Sequence, residues 1–200
     1  METKNFKTEL IKDMKKILNV DELGKVSTAH IIDMYCWLLT ERKELPEETK
    51  ANGITPKAVD KYAKYKGCDY WTKDAFKQCF EEKDNILTFK GNKTLSGLRH
   101  EHVVPRKLFV DYVNSNVNNI DVDKINNYFI GCVVTKEESE EIDKKCKDKM
   151  PKCENFESIN DSNLWSRYTE SGITSIYEIE WEINNKSWTI NKATLKELKK

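Results

Sequence analysis

Apolar residues in the first eighty positions recur at spacings of three and four. Phe6, Leu10, Ile11, Met14, Ile17 and Leu18 form one stripe, and Ile31, Ile32, Tyr35, Cys36, Leu38 and Leu39 form a broader second one. That spacing places side chains on one face of a helix, and Ser27 or Thr28 can cap the second helix. Thr55-Pro56 opens a third, with Val59, Tyr62 and Ala63 facing inward, because proline suits the first helical position. Thr72 caps a fourth, whose inward residues are Ala75, Phe76, Cys79 and Phe80. The N-terminal half is therefore expected to be helical.

The pattern changes at Asn85. Ile86, Leu87 and Phe89 suggest a short strand, Leu95–His102 a second extended region, and Leu108, Phe109, Tyr112 and Val113 a short helix. The Asn-rich stretch 114–127 reads as a polar connector. Tyr128–Val134 is the strongest strand signal in this half, and Thr135 can cap a helix that begins Lys136-Glu137-Glu138. Beyond Pro151 the chain is irregular up to Leu164-Trp165. Tyr177, Ile179, Trp181 and Ile183 then alternate with Glu178, Glu180 and Glu182, a period-two strand that Asn184-Asn185 turns back towards 187–190 as a hairpin. Asn191 can cap a last helical turn.

The 200 residues carry 34 basic and 34 acidic side chains, which excludes a polybasic histone-like protein and an acidic tail domain but leaves local charge decisive. Twenty aromatics (five Trp, eight Tyr, seven Phe) exclude a disordered chain. No apolar run approaches the length of a membrane span, and Met1–Leu10 lacks an apolar signal core; a cytoplasmic location without a membrane partner is expected. Six cysteines (Cys36, Cys68, Cys79, Cys132, Cys146, Cys153) are widely spaced with no CxxC pair, as expected of thiols rather than a zinc knuckle.

Two of the three histidines stand in one stretch, Leu98-Arg99-His100-Glu101-His102-Val103-Val104-Pro105-Arg106-Lys107. In extended chain His100 and His102 share one face and Arg99 and Glu101 the other, unless a turn near His102 releases the alternation. Imidazole is suited to accept a proton near neutral pH, and carboxylates suit hard cations. Arg99, Arg106 and Lys107 supply local positive charge for a phosphate backbone. His30 reads as a structural or exposed helix residue, and Trp165 and Tyr168, three apart, read as packing residues.

Glu101-His102-Val103-Val104-Pro105 resembles the histidine–metal finger of HNH endonucleases, in which an acidic residue and a histidine end a strand ahead of a proline. The resemblance extends over about 86–147, with the expected strand at Tyr128–Thr135 and the helix after it completing the order. It implies His102 as general base, Glu101 as a magnesium ligand and His100 as a supporting catalytic residue. It also implies DNA as partner. The family's last helix histidine or asparagine has no counterpart in Lys136-Glu137-Glu138-Ser139-Glu140-Glu141; Glu138 is the substitute metal ligand, with Glu141 one turn on. Thr135 and Glu138 equally fit a capping box that needs no active site. Asn126 or Asn127 is the candidate for orienting the base.

The expected fold is α+β. A helical scaffold covers 1–84, a ββα-metal-like finger covers 85–150, and an irregular segment with a C-terminal hairpin covers 151–200, all in one compact unit. The expected function is a magnesium-dependent endonuclease that hydrolyses DNA phosphodiesters. The competing expectation is a non-catalytic nucleic-acid- or protein-binding domain that retains the finger. Neutral net charge is also compatible with a homodimer or a protein partner.

Overall fold

The computed structural model describes residue 65 and residues 68–83, 86–116, 119–184 and 187–199. The helices expected before residue 64, and His30 and Cys36 with them, lie outside these residues. Strand β1 (Tyr70–Thr72) runs directly into α1 (Lys73–Cys79), because the Thr72 side chain accepts from Ala75 N and turns the chain into a helix. Ala75, Phe76 and Cys79 are buried, as the spacing predicts, whereas Phe80 begins a strand. β2 (Phe80–Lys83) and β3 (Ile86–Phe89) form a separate two-stranded ribbon.

After a 3-10 turn at Asn92–Leu95 come β4 (Leu98–His102), α2 (Arg106–Ser115), α3 (Val122–Tyr128), β5 (Gly131–Thr135) and α4 (Lys136–Lys145). A one-turn helix, α5 (Ser166–Glu170), precedes the long strands β6 (Ser175–Asn184) and β7 (Ser187–Glu197). The main sheet has the order β4-β5-β1-β6-β7, with β1 parallel to β5 and the other pairs antiparallel.

This sheet overturns the expected architecture of a helical half carrying a discrete finger. β4 pairs antiparallel with β5 and α4 follows, but the far edge of β5 is taken by β1, and β1 in turn pairs with β6. The described N-terminal portion thus enters the middle of a five-stranded mixed sheet. The physical reason is the short run Tyr70-Trp71-Thr72: aromatic and β-branched residues suit a half-buried pleated surface, and three residues are too few to show a period. Trp71 is wholly buried, and its Nε1–H donates to Cys68 O at 3.1 Å, so the indole is enclosed without an orphaned donor.

Residue alternation splits the core over the two sheet faces. On β5, Val133 joins Trp71, Phe76, Phe80, Leu95, Leu98 and Ile179 on one face. Cys132 and Val134 join Phe109, Ile125, Ile142, Phe156 and Tyr168 on the other.

Two local expectations are also corrected. The Asn-rich connector contains α3, capped by Asp121, whose side chain accepts from Lys124 N at 2.9 Å; Tyr128 ends this helix instead of opening a strand. Asn191 lies in β7, where pairing with β6 continues to Glu197 past a bulge at Glu180/Trp181, so cross-strand bonds replace the expected helical turn. Trp165 and Tyr168 pack edge to face with centroids 5.1 Å apart, as expected. Cys79, Cys132, Cys146 and Cys153 are unbridged thiols.

Candidate functional site

β4 is an edge strand, and its C-terminal end opens onto a cleft of about 420 Å³. Glu101, His102, Pro105, Arg106 and Lys107 line one side; Asp143, Lys147, Asp148 and Arg167 line the other. The strand is extended through His102, so alternation holds: the His100 and His102 rings lie against each other, centroids 5.6 Å apart, on the face of Leu98. Glu101 points to the opposite face, towards α4, where its Oε1 accepts from the Ser139 hydroxyl at 2.6 Å. The carboxylate and the neighbouring histidine therefore belong to different faces of β4 and come together only at the strand's end. There Val103 and Val104 bend into the core and leave His102 half-buried at the cleft.

Burial pushes the Glu101 carboxyl above the usual carboxylate range, and Asp143 pushes it further; the Ser139 hydroxyl and the cations Arg167 and Arg99 act in the opposite direction. Asp143 lies one turn beyond Ser139 on α4, so this helix gives a hydroxyl to Glu101 and a carboxylate to the cleft. Arg167, 3% exposed, reaches in from α5: Nη1 donates to His102 O at 2.9 Å and Nη2 to Lys147 O at 2.6 Å. The guanidinium thus ties the end of β4 to the turn after α4.

Glu138 is elsewhere. Its Oε2 accepts from Thr72 Oγ1 at 2.6 Å and from Thr135 N at 2.8 Å, while Thr135 Oγ1 accepts from Glu138 N at 3.2 Å. This is a complete capping box with an extra bond to β1, and burial raises the carboxyl despite those donors. Glu138 and Glu141 line a second cleft with Lys73, Asp74 and the turn at Ser171–Ser175. Glu141 is a partly exposed residue, held below the usual range chiefly by Lys145, with which it pairs at 3.2 Å.

The structure therefore brings together Glu101, His102, Arg106 and Lys107, and leaves Arg99, His100, Glu138 and Glu141 outside that cleft. Arg99 is exposed and donates to Leu98 O. Asn126 and Asn127 sit on α3, and neither lines the cleft. Sequence reasoning missed Ser139, Asp143, Lys147 and Asp148. The i, i+4 spacing of Ser139 and Asp143 was a usable signal once Ile142 fixed the buried side of the helix; Arg167 stands between Trp165 and Tyr168, where an arginine among aromatics can contact nucleic acid but the run reads as packing.

Among the described residues, no group of three His, Cys, Asp or Glu side chains is placed to hold a metal ion. Glu101 and Glu138 line different clefts, so they do not share a cation in this arrangement. Asp143 is the carboxylate that accompanies Glu101. Two carboxylates are within the ordinary need of magnesium, which keeps several waters and takes further oxygens from substrate phosphate. No helix among the described residues is long and apolar enough to cross a membrane.

No family model, no curated protein and no solved structure matches this chain.

Proposed function

We propose that the chain is a nucleic-acid phosphodiesterase, an endonuclease acting on DNA, with its reaction in the Glu101–His102 cleft. The observation that carries this reading is the meeting of an imidazole, three carboxylates and four cations at the end of one edge strand. His102, half-buried at the cleft, accepts the proton of the attacking water, the task to which imidazole is best suited. Arg106 and Lys107, at the start of α2, position the phosphate backbone. Arg167 holds the main chain of His102, so the base keeps its place as substrate enters. A magnesium ion held by Glu101 and Asp143 would neutralise charge on the phosphate and the leaving oxygen. Ser139 fixes the Glu101 carboxylate and favours its ionised form.

The test is plasmid and oligonucleotide cleavage by the wild-type chain and by His102→Ala. General-base catalysis contributes about 10²–10⁴-fold, so the variant should lose at least about a hundredfold in rate. Its thermal midpoint should be unchanged, because a half-buried residue at a strand end carries little of the core. Equal rates for the two proteins would refute the assignment. A second reading, phosphate binding without hydrolysis, is favoured by the placement of the His102 imidazole and the Glu101 carboxylate on opposite strand faces. DNA binding without strand scission by the wild type would decide for it.

A further inference from the structure

Besides Glu101 and His102, the cleft holds three cationic features. Arg167 is almost wholly buried, its two Nη groups donate to main-chain carbonyls, and its Nε–H has no hydrogen-bond partner among the described residues. A buried charge that keeps an orphaned donor is costly, and this one stands at the cleft wall beside Lys147. Lys147 has φ 40°, a left-handed conformation in which glycine is the ordinary choice. Its N–H closes α4 on Ile142 O and Asp143 O, and its side chain lines the cleft. A lysine kept where glycine would be less strained brings a cation to this wall.

The third feature is the start of α2. α1, α3 and α4 each begin with a side-chain cap (Thr72, Asp121, Thr135) and an acid in the first turn. α2 begins at Pro105, which has no side-chain acceptor, and its first turn carries Arg106 and Lys107 and no acid. Cations at the positive end of a helix dipole repel it, and an anion relieves both. This first turn lines the same cleft as Lys147 and Arg167.

We propose that Lys147, Arg167 and the first turn of α2 form an anion seat that holds a phosphate group of the nucleic-acid strand. The inference rests on the reading of the cleft as a phosphodiester site and names the groups that grip the substrate there. Phosphate oxygens are the matching acceptors: they accept from guanidinium, ammonium and helix N–H groups together. The seat leaves the chemistry to Glu101 and His102, so binding and hydrolysis are separable.

The experiment is an amide-shift titration of the full chain with inorganic phosphate, run on wild type, Lys147→Gly and Arg106→Ala. Wild type should show saturable shifts. Lys147→Gly relieves the left-handed strain, so the fold should be kept or stabilised while phosphate affinity falls about tenfold, the loss of one charge-assisted contact. Arg106→Ala should weaken binding similarly. Absence of saturable binding by wild type, or Lys147→Gly affinity equal to wild type, would overturn the seat. Competition by an unphosphorylated trinucleotide assigns the seat to backbone phosphate, and competition only by a 5′-phosphorylated mononucleotide assigns it to a strand end; competition by neither overturns the nucleic-acid ligand. Phosphate binding without DNA cleavage would remove the hydrolase reading and keep the seat. DNA cleavage with unchanged phosphate affinity in Lys147→Gly would do the reverse.

Discussion

Glu101 and Glu138 line different clefts, and both are half-buried carboxyls that desolvation pushes above the usual range. They differ in what their oxygens do. Glu138 Oε2 accepts from the Thr72 hydroxyl and the Thr135 amide, and together these lock strand β1 to the start of α4. Glu101 accepts from the Ser139 hydroxyl and lines an open cleft shared with Asp143 and four cations. The comparison teaches that burial and a perturbed pKa do not by themselves distinguish a structural carboxylate from a chemical one. The neighbours decide: donors fixed by the fold on one side, a cleft with unfilled acceptor and donor capacity on the other.

The largest expected effect lies on the Glu101 side, at Arg167. Arg167→Leu strips the His102 and Lys147 carbonyls of a charged donor, and should cost about 3 kcal/mol, the upper value for one hydrogen bond to a charged group. Urea unfolding should show this as a lower midpoint with an unchanged slope; a midpoint equal to wild type would mean that the guanidinium does not tie the two segments. Next is Thr72→Val, on the Glu138 side. It removes the α1 cap and one Glu138 donor and should cost about 1–2 kcal/mol, with cleavage unchanged. Reduced cleavage in this variant at full occupancy of the folded state would blur the division between the two carboxylates.

The division was partly visible in the sequence. Thr135 followed three residues later by glutamate is local chemistry, so the capping box could be read directly, as could the alternating stripe that became β6. The Glu101-His102 pair was legible as a pair, and its placement at a strand end follows from Leu98–His102 being extended. The cleft was not legible, because Asp143, Lys147 and Arg167 reach it through pairing of β4 with β5 and packing of α4 and α5, contacts that span tens of residues. The sheet was misread for a similar reason. Tyr70–Thr72 is too short to show a period, yet it occupies the centre, and the spacing of Ala75, Phe76 and Cys79 drew attention to the helix beside it.

A smaller effect sharpens the comparison at Ser139. The hydroxyl stabilises ionised Glu101, so Ser139→Ala should raise the Glu101 pKa further. If cleavage needs the carboxylate, the acidic limb of its pH–rate profile should move to higher pH, with the plateau rate nearly kept. A limb that stays in place would separate Glu101 ionisation from the reaction. The smallest effect is on stability against pH. Both carboxyls hold their protons longer in the folded chain than in the unfolded one, so each lowers stability as pH rises from the ordinary carboxylate range through its raised value. Glu101→Gln cannot ionise and should flatten the loss of stability across that window. An unchanged slope in denaturant midpoints between acid and neutral pH would contradict the burial of Glu101.

The most direct measurement is a side-by-side comparison of Glu101→Gln and Glu138→Gln, each assayed for DNA cleavage and for urea midpoint. The account predicts that Glu101→Gln loses about a hundredfold in cleavage, within the range for removal of a charge-stabilising group, while its midpoint is equal to or above wild type. It predicts that Glu138→Gln keeps its cleavage rate and loses about 1 kcal/mol of stability. The opposite pattern, with cleavage lost at Glu138 and kept at Glu101, would place the chemistry in the Glu138 cleft and contradict the account.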